Sequence, residues 1–424
     1  MPGLTRRELL AGAGAAAAMT LLGCGGADEP RPLAGAAAKP TLPPAMRKGI
    51  SLIGEVNRYD DSLGVRGYLR SGPRPTTFVA LWASWSHLQP AAPSPFTREQ
   101  ALLDLGSPAG PAAAPLDLLD VQIAQAKVDG CEVALTLYQS FPDWTHPPGA
   151  DPPEAHVPTD RSPDGPWAWL LAFLCDRYAL GGAGNPHGAT IDWLQPMNEP
   201  NLTWWPQQSP LLPGGTIAGA VAEMSRTAAT VAAATPGGPG LLLPGTSDVV
   251  SPASRRGTPW ETFTEELLQL LQGWEPGVPV GWAHHNYADV RHGREDDGRW
   301  RVERLLELQA LHGWPEPSVW LTEGGYQFAV RRDGWIAPDV ERWVVDPTDT
   351  ADPVHADAYA EQVAKLQENF AAMAQLPVRV WAQYQVHDRD VRFQSGLRGP
   401  VRDTPAGRVV HDPPYPAYDL FPQL

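Results

Sequence analysis

The sequence predicts one α/β domain built as a (β/α)8 barrel, and three observations carry that expectation. Eight short apolar runs recur along the chain, amphipathic helical patterns separate them, and no second linker breaks the series between residues 46 and 424. Buried parallel strands read as near-continuous apolar runs, and their alternation with helices marks successive βαβ units. A chain of 424 residues with 43% hydrophobic content can fill one large core, and barrels of this kind run longer than the average domain. An open doubly wound sheet would alternate in the same way, but the Gly-x-Gly-x-x-Gly turn expected after its first strand is missing.

The strands expected in order are GISLIG (49–54), TFVALWA (77–83), CEVALTLY (131–138) and IDWLQPM (191–197). LLLPGTS (241–247), VGWAHHNY (280–287), VWLTEG (319–324) and VRVWAQYQ (378–385) follow. Helical spacing links Leu116, Leu119, Ile123 and Ala126, then Leu170, Leu174 and Tyr178. It links Ile217, Val221, Met224 and Val231, then Phe263, Leu267, Leu270 and Trp274. The clearest period runs through Tyr359, Val363, Leu366, Phe370 and Met373, and Pro377 ends it before the last strand. The first crossover shows no clear helix. Pro-rich stretches at 106–115 and 146–166 read as long loops, and 86–115, 139–166 and 328–355 are the expected walls of a mouth.

The amino terminus reads as a targeting segment, 1–24, followed by a tether, 25–45. TRRELL (5–10) pairs Arg6 with Arg7, an Ala/Gly-rich apolar stretch follows, and LLGC (21–24) resembles a lipoprotein box with Cys24 as the lipidated residue. This predicts export, by the twin-arginine route or as an ordinary secretory signal with a basic start. The apolar run is too short for a spanning helix, so membrane contact is expected only through the lipid. GGADEPRPLAGAAAKPTLPPA has little to bury and reads as a flexible spacer.

A formal charge of −16 and a pI near 5.1 argue against nucleic acid or anionic lipid as the main partner. Cys131 and Cys175 form either a bridge or two separate buried thiols, and both readings stay open. No Cys-x-x-Cys or Cys/His ligand spacing occurs, so no metal or cofactor is expected. A monomer is expected.

In a barrel, residues at the carboxyl ends of the strands surround one mouth. IDWLQPMNEPNLTWWP (191–206) runs the fourth strand into Glu199, and the seventh ends on Glu323. Strands four and seven lie nearly opposite in a ring of eight, so two carboxylates can face each other across the pocket. Such a pair suits glycoside hydrolysis with retention, one acid protonating the leaving oxygen and the other attacking the anomeric carbon. The 17 tryptophans fit the same chemistry, since an indole face stacks on a sugar ring. Trp204 and Trp205 beyond Glu199, and Phe141 and Trp144 after strand three, are either stacking platforms or packing. His284 and His292 read as loop or core histidines, and His285 as a sugar ligand. Asp248, Gln383, Tyr384 and Asp388 also end strands and are candidates to line the pocket, Tyr384 foremost.

Asn198-Glu199-Pro200 and Thr322-Glu323-Gly324 resemble the acid/base and nucleophile motifs of glycoside hydrolase clan A, a group of retaining (β/α)8 enzymes. Within it the sequence is similar to the cellulase-like family five and to family thirty-nine, the β-xylosidases and α-iduronidases, whose motif continues Asn-Glu-Pro-Asn as at 198–201. The resemblance implies that Glu199 is the acid/base, Glu323 the nucleophile, and Asn198 a partner of the sugar 2-hydroxyl. It implies that His285 and Tyr287 form the clan's His-x-Tyr, whose phenol keeps the nucleophile ionised, and that Trp85 in WASWSHLQP matches a tryptophan after strand two. The carboxyl-terminal stretch from Ser395 resembles that of many such enzymes. The likeness spans most of 46–424, and its specific motifs lie at strands four, six and seven. It departs at one place: clan members carry an arginine on strand two, and FVALWAS has none. The function expected is retaining hydrolysis of a β-linked oligo- or polysaccharide without a cofactor. The alternative is a carbohydrate-binding barrel without catalysis.

Overall fold

Eight parallel strands close into a barrel in chain order in the computed structural model of the protein. It describes residues 45–138, 141–146, 156–182, 184–250, 257–295, 297–327, 353–388, 395–399, 401–404, 407–410 and 414–424. The strands are β1 Arg47–Leu52, β2 Phe78–Ala83, β3 Glu132–Leu137, β4 Trp193–Gln195, β5 Gly240–Ser247, β6 Val280–His285, β7 Val319–Glu323 and β8 Val378–Tyr384. Each expected strand has its counterpart. β4 is shorter than its apolar run: Pro196 follows it without an N–H to donate, and the β4–β5 ladder ends at Leu194 opposite Leu241. β6 ends early because Tyr287 opens the helix Tyr287–His292.

The helices Ala113–Val128, Pro166–Arg177, Ile217–Ala234, Trp260–Leu270 and Pro353–Met373 carry the expected periods. Others depart from expectation. Arg301–Leu311 supplies the β6–β7 crossover, burying Val302, Leu305 and Leu308. Only the five-residue helix Val65–Leu69 lies between β1 and β2. Within 86–115, expected to be loop, Thr97 accepts the backbone N–H of Gln100 (3.3 Å) and starts the helix Arg98–Gly106.

Inside the barrel, Phe78, Ala80, Ala134, Leu242, Ala283, Trp320, Val380 and Ala382 pack together, with Trp193 against them. The rings of Trp193 and Trp320 meet edge-on at 5.3 Å. They fit because Gly240 and Gly281 lack side chains: a Cβ at 281 would lie 2.6 Å from Leu242 and 2.9 Å from Trp320. This alternation of large and small fills the barrel as a core.

The end of the chain returns to β1, where Lys48 Nζ donates to the Phe421 carbonyl (2.7 Å). Cys131 and Cys175 are separate, free and buried. Among the described residues no helix is long and apolar enough to cross a membrane. The export signal, Cys24 and the tether to residue 44 lie outside the described residues, as do 328–352 of the third wall.

Candidate active site

Both acids reach the barrel interior through local departures from regular strand. Trp320 faces inward, so strict alternation would aim Thr322 inward and Glu323 out. The β6–β7 pairing skips a residue: His284 stands opposite Leu321, and His285 opposite Glu323. That extra residue reverses the parity and brings Glu323 onto the inward face with His285. Glu199 is placed by a turn. Its φ is +41°, in the left-handed region that side chains avoid, a conformation costing about 1–3 kcal/mol that only a well-tied surrounding maintains. The ties are several. Glu199 N–H donates to the Gly245 carbonyl (3.0 Å), the Trp205 indole N–H donates to the Asn198 carbonyl (3.1 Å), and Asn201 exchanges hydrogen bonds with Ser247 (2.9 and 3.0 Å).

The two acids come together beside His285. His285 Nδ1 shares a hydrogen bond with Glu199 Oε1 (3.0 Å) and lies 3.9 Å from Glu323 Oε2. Tyr287 Oη donates to Glu323 Oε1 (2.7 Å). One side-chain atom from each of Glu199, His285 and Glu323 falls within 4.8 Å of the other two. Glu199 is 3% exposed, Glu323 1% and His285 0%. His285 fits because residue 245 is glycine; a Cβ there would lie 2.6 Å from its Nε2.

Burial pushes Glu199 up to about 8, against a hydrogen bond from Ser247. Burial also raises Glu323, to about 7; the Glu199 charge adds to this, while His285 and the Tyr287 hydrogen bond oppose it. Burial thus favours the protonated form of both acids, and the Tyr287 and His285 contacts give Glu323 the stronger support for its charged form. Burial lowers the His285 pKa despite the nearby Glu323, and burial together with the Glu323 charge holds the Tyr287 phenol well above its usual value, as a donor.

Glu199, His285 and Glu323 are also the one group of three metal-binding side chains gathered among the described residues. A divalent ion held by all three would need each ligand atom within about 2.2 Å. Hydrogen bonds engage Glu199 Oε1 with His285 Nδ1 and Glu323 Oε1 with Tyr287, while Glu323 Oε2 and His285 Nε2 have no hydrogen-bond partner.

Tyr287, which bonds Glu323, clusters with Ile53 and Tyr384, and Trp82, Tyr138 and Val249 pack against these three. They come from the ends of β1, β6, β8, β2, β3 and β5. Trp82 meets Tyr138 edge-on at 5.4 Å, and Tyr287 meets Tyr384 at 6.2 Å. Trp82 continues the inward parity of Phe78 and Ala80, so β2 brings an indole and no cation to the site. His285 and Tyr287 are left to oppose the charge of Glu323.

The structure places the remaining candidates one by one. Trp85 is 1% exposed and packs edge-on against Phe141 and Trp144 and tilted against Trp167; it is core beneath the loops, not a sugar platform. Trp205 is 3% exposed and supports the turn of Glu199 from below. His285 bonds Glu199, lies 3.9 Å from Glu323, and keeps Nε2 without a hydrogen-bond partner. Tyr287 reaches Glu323, and Tyr384 stands beside Tyr287 with the rings 6.2 Å apart. Asn198 is half-buried, and its Oδ1 is without a hydrogen-bond partner. Trp204 is half-buried against the core. Trp144 is half-buried and lines a separate cleft of about 350 Å3 with Phe96, His146 and Leu211.

Other strand-end candidates are structural: His284 bonds Thr246 (2.7 Å), Gln383 donates to the Tyr384 carbonyl (3.0 Å), and Asp388 accepts from Gly396 N–H (2.7 Å). Trp82, Tyr138, Gly245 and Ser247 escaped the sequence reading. Trp82 and Tyr138 were within reach of it, since each continues the inward alternation at its strand's carboxyl end.

Fold and site together define a (β/α)8 barrel with a buried two-carboxylate centre. No protein-family model matches the sequence, and a search of curated proteins found no match. Among solved structures, the chain is similar to an endo-β-1,4-glucanase from Xanthomonas axonopodis pv. citri, at 14% identity over 89% of this chain and 98% of that one, with a TM-score of 0.46. A Pseudomonas stutzeri endoglucanase is 13% identical over 89% of this chain and 93% of its own (TM-score 0.43). A hyperthermophilic β-glucosidase mutant is 14% identical over 90% of this chain and all of its own (TM-score 0.49). At these identities and scores the likeness carries no argument about activity, and the barrel stands on its strand order.

Proposed function

We propose that the protein is a retaining glycoside hydrolase of the clan A kind, acting on a β-linked oligo- or polysaccharide without a cofactor. The observation that carries this reading is the spacing of the two acids, each with an oxygen within 4.8 Å of the other and of His285. Retaining enzymes hold their carboxyl groups about 5–5.5 Å apart, whereas inverting enzymes leave about 6.5–9.5 Å for a water. In the first step Glu199 gives its proton to the glycosidic oxygen, Glu323 forms a bond to the anomeric carbon, and the bond to the leaving group breaks. In the second, Glu199 takes a proton from a water as that water attacks the same carbon and the Glu323 ester bond breaks. Tyr287 stabilises the Glu323 carboxylate, and the unpartnered Asn198 Oδ1 suits a sugar hydroxyl. Export, with Cys24 lipidated, belongs to the same proposal and puts the substrate outside the cytoplasm.

A panel of aryl and natural glycosides, with product anomers followed by NMR, tests this. Glu323→Gln is expected to abolish turnover, and Glu199→Gln to slow it least on substrates with good leaving groups, which need little protonation. Wild-type rates in either variant on a natural glycan would refute the assignment of roles. The indole in place of a cation on β2 favours one other reading, a carbohydrate-binding barrel. Glycan affinity without turnover, unchanged in Glu323→Gln, would establish that instead.

A further inference from the structure

Asp248 follows β5, is 3% exposed, and takes no part in the proton transfers above. Both of its carboxylate oxygens are engaged: Oδ1 accepts the N–H of Ala288 (2.9 Å) and Oδ2 that of Asp289 (3.0 Å). These are first-turn N–H groups of the helix Tyr287–His292, which has no intrahelical acceptors for them. The residue before that helix, Asn286, does not cap it with its side chain; its Nδ2 donates instead to Asn369 (2.9 Å). The cap comes from another strand. Asp289, 0% exposed, repeats the arrangement one element on, accepting the N–H groups of Arg301 (2.9 Å) and Val302 (3.2 Å) at the start of Arg301–Leu311.

We infer that Asp248 is a positioning residue for the nucleophile: by fixing the backbone of residues 287–289 from β5, it holds the Tyr287 phenol on Glu323. This rests on the glycosidase reading. Tyr287 is the first residue of the capped turn, and its phenol reaches Glu323 at 2.7 Å, so a slackened turn moves the donor directly. The charged groups around Asp248 are Asp289 and Arg301, with Arg301 opposing the burial that raises both acids. Those around Glu323 are Glu199 and His285. No substitution at 248 removes any group that faces Glu323.

The test is the acid limb of kcat/KM in Asp248→Asn, whose amide replaces one accepting oxygen with a donor facing a backbone N–H. Loosening the phenol raises the pKa of Glu323, so the limb is expected to move up by about one pH unit, with kcat falling and KM little changed. Tyr287→Phe is expected to shift the limb likewise, and the double variant no further, because both changes act through one hydrogen bond. Asp120→Asn is the control: this buried acid pairs with Arg177 and Tyr178 among the outer helices, and its loss should lower Tm with the limb unmoved. If Asp248→Asn fails to fold, Asp248→Ser, which removes the charge from the buried cluster, is read in the same way. A lowered Tm with an unmoved limb, or shifts that add in the double variant, would overturn the inference. A wild-type protein inactive on every glycoside would instead overturn the glycosidase reading beneath it.

Discussion

Position 245 has room for a hydrogen and nothing larger, because a Cβ there would stand 2.6 Å from Nε2 and 2.8 Å from Cδ2 of His285. Gly245→Ala is expected to push the imidazole away from Glu199, and a displacement near 1 Å costs about a hundredfold in rate. Steady-state kinetics alongside a thermal melt will show a large loss in kcat/KM with a modest change in Tm. The sequence made Glu199, Glu323, His285 and Tyr287 legible because each ends or closely follows a strand and belongs to a motif. It hid Gly245, whose role is the absence of atoms beside a residue 40 positions away. It also misdirected attention to Trp85. Trp82, three residues earlier, holds the inward position, and only the parity of β2 separates the two.

Elements place these residues through irregularity as much as through regularity. The extra residue in β7 turns Glu323 inward, and no feature of VWLTEG announces it, since a skipped position becomes visible only against the neighbouring strand. The turn after β4 depends on aromatic support, from Trp205 to Phe141 (5.3 Å) and on to Trp167 (5.8 Å). Trp205→Phe keeps most of that packing but leaves the Asn198 carbonyl without its indole N–H. The expected loss is about 1 kcal/mol of stability, read from denaturant unfolding, with a larger effect on kcat than on KM because Glu199 is carried by that turn. Arg301–Leu311 went unforeseen for a different reason: its buried Val302, Leu305 and Leu308 sit among charged residues, so the apolar period is narrow.

Barrel closure brings together carboxyl groups that an unfolded chain would keep in water, and stability follows from that. The folded pKa of Glu199 is raised from 4.5 to about 8, so the native state binds its proton more tightly than the unfolded chain does. Its contribution to stability is complete below pH 4.5 and declines as pH rises toward 8. Glu199→Gln removes that decline. The variant is expected to melt above wild type at pH 8, with the difference shrinking toward pH 4.5. Calorimetry at both values checks this, and equal melting differences across the range would contradict the buried-acid account.

Two indoles in the barrel core, Trp193 from β4 and Trp320 from β7 with rings 5.3 Å apart, form a natural optical gauge of closure. Transitions of edge-on neighbouring indoles couple, so a circular-dichroism band in the near ultraviolet should depend on the opposite walls being joined. Trp193→Phe should erase that band while leaving the helical signal in the far ultraviolet. The band would then report whether the barrel opens as a whole or its outer helices detach first.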